Sequence, residues 1–309
     1  MNKPIKLSPA FKDYLWGGTK LRDEFGKKCD FEKVAESWEL STHPDGPCYV
    51  ASGEDTGMTF PDYIKKHNVI GKKAEAFDFF PILIKFIDAK DSLSIQVHPS
   101  DEYALKNENS FGKTEMWYIL DCEEDAFLYY GLKKEVSKEE FKERIENNTV
   151  LEVLNPVKVK KGDVFFIESG TIHAIGAGIV ICEIQQNSNL TYRVYDFDRR
   201  DKEGNPRELH VEKALKVSDL CPAKPYVSDK ENVLAECKYF TVEKHVINGE
   251  ADFQCDPDCF RCVIATDDDV TLEMNDEVLT LKKGETAFIP ACDGSYKLSG
   301  SSEIIIAYV

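Results

Sequence analysis

The sequence predicts a mainly β protein, built as two β-barrels or jelly rolls with a few short helices. Three observations point there. Most of the 309 residues fall into short apolar runs broken by Gly, Pro and Asp. Helix signals are few. A β-pattern also occurs twice, as "VKVKKGDVFFIESGTIHAIG" from 157 and "LTLKKGETAFIPACDGSYKLSG" from 279. Two copies of a β-unit imply duplicated β-domains.

The elements follow in chain order. "FPILIKFID", "LSIQV", "EMWYILDC", "AFLYYGL", "VFFIESG" and "IVICEIQQ" read as strands. Ser100 stands as an N-cap before "DEYALKNEN". Ser137 and Glu140 have capping-box spacing, so a helix opens at 137, within a small helical insertion over about 134–155. "HVEKALKVSDL" is a third helix candidate. The segment "CPAKPYVSDKEN" is rich in Pro and polar residues and divides the chain into 1–222 and 223–309. In the second copy of the repeat Ser295 holds the place of His173, so the C-terminal unit is expected to be metal-free.

Composition narrows the function. Hydrophobic residues make up 42%, with 18 Phe and 13 Tyr, which is ample core material. The formal charge of −17 lacks the basic footprint of a nucleic-acid binder. An anionic substrate would need a local positive site. No run approaches the ~20 apolar residues of a membrane span, and "MNKPIKLSPAFKDYLWGG" has no apolar signal core. A cytoplasmic protein is expected, its ten cysteines free and mostly buried.

The chemistry concentrates in "LSIQVHPSDEYA". Leu93, Ile95 and Val97 alternate with Ser94, Gln96 and His98, giving a strand with one apolar and one polar face. Glu115 opens the strand "EMWYIL", and His173 follows a Gly-Asp strand and a Ser-Gly turn. Two His, a Glu and a Gln on neighbouring strands can converge on one divalent ion. Imidazole, carboxylate and amide oxygen together suit zinc or a similar metal with an open position.

These motifs follow the ligand logic of the cupin barrel. Together with "AESWELSTHPDG", "GKTEMWYIL" and "GDVFFIESGTIHAIGAGIVICEIQQNSNLTYRVYDFDR", they resemble type I mannose-6-phosphate isomerases, in the short bacterial form. The resemblance runs from about residue 5 to 215. It implies one Zn2+ held by Gln96, His98, Glu115 and His173, with Ser94 and Lys113 at the substrate and Arg193 catalytic. It also implies a sugar-phosphate substrate, mannose 6-phosphate interconverting with fructose 6-phosphate. Arg199 and Arg200 are further phosphate candidates. Glu183, Asp196 and a metal-bound water are all left open as the base. Two rivals keep the same ligands: an iron-using cupin oxygenase, and a sugar-binding cupin without turnover.

Other features read as structural. Trp38 and Leu40 alternate like core residues, and Glu36 beside them is left open. "YLWGG" reads as a turn with an aromatic anchor. His43, His67, His210 and His245 are assigned no chemistry. Cys255, Cys259 and Cys262, with Cys237 upstream, have partial zinc-site spacing. No fourth ligand follows at a matching distance, and Cys262 lies in an apolar strand.

Overall fold

The computed structural model describes residues 3–200 and 203–309. Strands dominate, in three sheets. A six-stranded sheet runs in the order Val164–Ile167, Glu115–Cys122, Ile179–Gln186, Ile82–Ala89, Glu36–Leu40, Ala10–Lys12. A five-stranded sheet runs Tyr192–Tyr195, Ile95–Val97, His173–Ala174, Phe127–Leu132, Leu154–Lys158. The third sheet has nine strands and contains all of those after residue 230.

Period-two alternation decides what each sheet buries. In the six-stranded sheet, Ile82, Ile84, Phe86, Met116, Tyr118, Cys182 and Ile184 pack against Phe288 and Ile305 of the nine-stranded sheet and against Phe240 and Phe260, which stand just before two of its strands. The alternate residues Ile87, Trp117, Ile119 and Ile181 pack instead with Leu128 and Tyr130 of the five-stranded sheet. The outer face of the five-stranded sheet carries Ile95, Val97, Leu132 and Val194. It is covered by Phe141 and Ile145 of the helix Lys138–Glu146 and by Ala214 and Leu215 of the helix Val211–Val217. Ser94, Gln96 and His98 are thereby turned inward, between two sheets.

The expected strands form within a residue or two of the predicted bounds, except that the one opening at Val164 ends at Ile167, three residues short. Ser137 caps its helix by accepting the Glu140 N–H at 3.0 Å. Ser100 stands at the N-cap of Asp101–Asn107 without a side-chain capping bond. Both copies of the repeated pattern form strands, and His173 and Ser295 each begin one. Residues 218–232 contain no helix or strand. The first strand, Ile5–Ser8, pairs with Thr286–Ile289 and with Tyr49–Val50, so the N-terminal segment completes the C-terminal sheet. The ten cysteines are free; five of them, Cys48, Cys182, Cys259, Cys262 and Cys292, are buried. Among the described residues no helix is long and apolar enough to cross a membrane.

Candidate metal centre and sugar-phosphate pocket

Sheet pairing assembles the site. Gln96 lies opposite His173 on one neighbouring strand and opposite Arg193 on the other. On the facing sheet Glu183 lies opposite both Lys85 and Trp117, and Gln185 opposite Glu115. The inward face of each strand therefore carries one or two polar groups at the same level.

Glu115 is fully buried, and its two oxygens face two imidazoles. Oε2 is 3.5 Å from His98 Nε2, and Oε1 is 3.3 Å from His173 Nε2. The far nitrogen of each ring is committed to a carbonyl: His98 Nδ1 to Leu190 O at 2.8 Å, His173 Nδ1 to Thr171 O at 2.9 Å. A carbonyl only accepts, so Nδ1 carries the proton and Nε2 presents a lone pair. Burial, then the neighbouring Lys113, holds His98 well below its ordinary value. Burial pushes His173 down to about 4, so both rings are neutral. Two lone pairs thus converge on a buried carboxylate whose one close fixed cation among the described residues is Lys113, at Oε2. The three donor groups lie within 4.8 Å of one another. A divalent cation would resolve this arrangement, and neutral imidazoles held by backbone carbonyls are how proteins orient metal ligands. The Gln96 amide reaches His173 Nε2 at 3.4 Å and so belongs to the same cluster.

A cavity of about 280 Å³ opens beside these donors. Ser94, Gln96, Lys113 and Arg193 line it, as do Glu36, Lys85, Glu183, Tyr14, Trp16 and Arg207. Lys113 Nζ lies 2.5 Å from Glu115 Oε2 and 3.7 Å from Glu183 Oε1. Lys85 Nζ lies 3.4 Å from Glu36 Oε2 and 3.7 Å from Glu183 Oε2. Burial pushes Glu183 up, but Lys113 and Lys85 outweigh it and hold the carboxyl below its usual range. Burial likewise pushes Lys113 down, and Glu115 and Glu183 more than compensate. Burial raises Glu115, which shares the same lysine.

All seven residues singled out in the sequence thus come together here. Arg199 and Arg200 do not line the cavity: Arg199 bonds Ser92 O and Asp196, and Arg200 bonds Gly204 O. Asp196, one of the bases left open, is engaged by Arg199 and Arg207. Trp38 is core, as expected, and its indole donates to Glu36. The described cysteines form no cluster of three ligands. Lys85 and Arg207 escaped the sequence reading, while Glu36, left open there, and Tyr14 and Trp16 of the aromatic turn line the cavity. A usable signal existed for Lys85, the one cation inside the wholly buried strand Ile82–Ala89, since an unpaired lysine is almost never buried.

Facing antiparallel sheets with a Gln-x-His strand, a Glu on the opposite sheet and a His on a third strand define a cupin with a metal-capable centre. Comparison with known proteins narrows this. Residues 5–125 match the family model "Phosphomannose isomerase type I, catalytic domain", and residues 230–309 match "Mannose-6-phosphate isomerase, cupin domain". The chain is 38% identical to mannose-6-phosphate isomerase ManA of Bacillus subtilis over 320 residues, 99% of each chain. It is 37% identical to the mannose-6-phosphate isomerase of Streptococcus mutans, over 100% of this chain and 99% of that one. It superposes on the crystal structure of the Bacillus subtilis mannose 6-phosphate isomerase with a TM-score of 0.91 at 36% identity, covering both chains fully. The chain belongs to the type I phosphomannose isomerase family.

Proposed function

We propose that this protein interconverts mannose 6-phosphate and fructose 6-phosphate, with one zinc ion held by Gln96, His98, Glu115 and His173. The observation that carries this reading is that Glu183, Lys113 and Arg193 share one cavity wall with Gln96, beside the metal-capable cluster. Bound there, zinc would act as a Lewis acid on substrate oxygens, favouring loss of the adjacent C–H proton.

The chain supplies the remaining steps. Glu183 is ionised at neutral pH, and its Oε2 has no hydrogen-bond partner among the described residues. It takes the proton from C2 of the aldose and returns it to C1 of the enediolate. Lys85 and Lys113, one on each side, keep that carboxylate charged between turnovers. Arg193 stays protonated at any working pH and stabilises negative charge as it develops on the sugar oxygens. Ser94 and Lys113 donate hydrogen bonds to the substrate. Residues 1–222 form the catalytic unit, and 223–309 a metal-free unit that backs it. A cytoplasmic setting accords with ten free thiols.

Two measurements test this. In a coupled assay, chelation abolishes turnover of mannose 6-phosphate and added zinc restores it; full activity in stripped protein would end the zinc reading. Arg193→Ala keeps its zinc but loses roughly 10²–10³ in kcat, as for removal of an oxyanion donor. A near-normal kcat would remove Arg193 from the mechanism.

A further inference from the structure

The charges on the cavity wall separate into two groups. Around the metal-capable cluster stand Lys85 and Lys113 with Glu36, Glu115 and Glu183, a net of −1 that suits a cation. Along the Tyr192–Tyr195 strand and the loop after it, Arg193, Arg199 and Arg207 gather about Asp196, a net of +2 for these four groups, while Asp198, Arg200, Glu203 and Glu208 of the same loop are exposed. Glu208 gives its backbone carbonyl to Arg193 at 2.9 Å, while its side chain is 83% exposed. His173 and Arg193 flank Gln96 on adjacent strands, so their backbones lie about 10 Å apart, two strand spacings. That is within the reach of a six-carbon phosphate ester.

The loop fixes which arginine meets the cavity. After Asp196, Phe197 and Asp198 take φ of 55° and 53°, and Arg199 N–H donates to Asp196 O at 3.1 Å. This tight turn, with two left-handed central residues, folds Arg199 back onto Asp196. Arg200 then bridges Pro206, which returns the chain and sets Arg207 beside the same carboxylate. Arg207 Nε donates to Asp196 Oδ2 at 2.7 Å, and Nη2 to Oδ1 at 2.5 Å. Arg199 turns its Nη1 to Ser92 O, away from the cavity; Arg207 lines it. Burial and then Arg207 weaken the hold of Arg193 on its proton, as expected where two guanidiniums share a wall short of negative charge.

We propose that Arg207, held in place by the Asp196 carboxylate, is the anchor and specificity determinant for the phosphate dianion of the substrate. The dianion neutralises the surplus of +2. The cavity's opposed charge ends then orient the ester, with its carbonyl toward the metal cluster and its phosphate toward Arg207. Lys85 and Lys113 are not the anchor: each stands between two carboxylates at the metal-cluster end, whereas Arg207 shares its one carboxylate, Asp196, with Arg199.

The inference rests on the proposed function and is tested on zinc-loaded enzyme. Arg207→Ala should raise both KM for mannose 6-phosphate and the inhibition constant of inorganic phosphate roughly 10- to 100-fold, the loss of one charge-assisted hydrogen-bond donor. The kcat should change far less, and zinc per chain should not change. Arg207→Lys should recover part of the loss, since it keeps the charge without the fork. Arg207→Met keeps the aliphatic stem and carries the same test if the alanine variant does not fold. Unchanged KM and phosphate inhibition in a folded variant overturns the proposal, and so does a collapse of kcat at constant KM. If the wild type fails to turn over mannose 6-phosphate, the isomerase reading falls separately. Calorimetric titration of inorganic phosphate into wild type and variant then still decides whether Arg207 holds the anion.

Discussion

The Trp117 indole adds one hydrogen bond to the contacts that hold Glu183 ionised. Nε1 donates to Glu183 Oε1 at 2.9 Å, and the ring is fully buried between the sheets. Burial raises Glu183; the two lysines and then this indole draw it back below its ordinary value. Trp117→Phe keeps an aromatic ring and removes the donor. A carboxyl with a lowered folded value lends stability above its unfolded value and loses it as pH falls through the folded one. The variant should therefore lose that contribution at a higher pH. The acid limb of its kcat profile should move upward in pH, and stability should fall by about 1–3 kcal/mol for the unmade bond. Thermal melts and a pH–rate series read both effects; an unmoved acid limb would show that Glu183 is not the base. His98, Glu115 and His173 were legible in the sequence because each lies in a short pattern that shows its strand and its face. Lys85 and Arg207 were not, and Glu36 was left open. Their roles depend on which strand lies opposite, and for Arg207 on a turn that brings it back eleven positions to Asp196.

Among the elements, the Lys138–Glu146 helix illustrates how stability and the site are kept apart. Ser137 caps it, and Phe141 and Ile145, four residues apart, dock beside Ile95 and Val97 on the outer face of the five-stranded sheet. Gln96 and His173 lie on the opposite face of that sheet, toward Glu115 of the six-stranded sheet. Phe141→Ala should cost about 3–5 kcal/mol, and Ser137→Ala about 1 kcal/mol. Both should leave zinc per chain and KM unchanged in folded protein. Denaturant titration with metal analysis checks this; zinc loss at native conditions would show that the helix supports the site directly. The capping box and the strand alternation made these elements readable, because both are signals within ten residues. Ser100 shows the limit of that reading: it occupies the right position, yet its side chain makes no capping bond.

At the scale of the whole molecule, the two halves of the repeat are not independent bodies. The strand Ile5–Ser8 pairs with Thr286–Ile289, a pairing that no local pattern in the sequence could reveal. The apolar layer behind the six-stranded sheet is shared. Phe60 stacks edge-on to Phe288 with centroids 5.0 Å apart, and Phe80 lies 5.1 Å from Phe260. Polar contacts cross the same seam: Lys27 Nζ to Gly284 O at 2.5 Å, and Tyr118 Oη to Glu303 Oε1 at 2.5 Å. A chain cut at 222 would expose Ile82, Ile84, Phe86, Met116 and Tyr118 on one face. The alternate residues of those strands carry Lys85 and Glu115 on the other. The site therefore depends on a sheet whose back is covered by the C-terminal unit. Calorimetry of the full chain should show one cooperative transition, with calorimetric and van't Hoff enthalpies in agreement. Phe288→Ala, about 3–5 kcal/mol destabilising, should lower that single transition and the temperature of zinc release together. Two transitions, with zinc release following only the unshifted one, would mean that the N-terminal sheets hold the metal without support from the C-terminal unit.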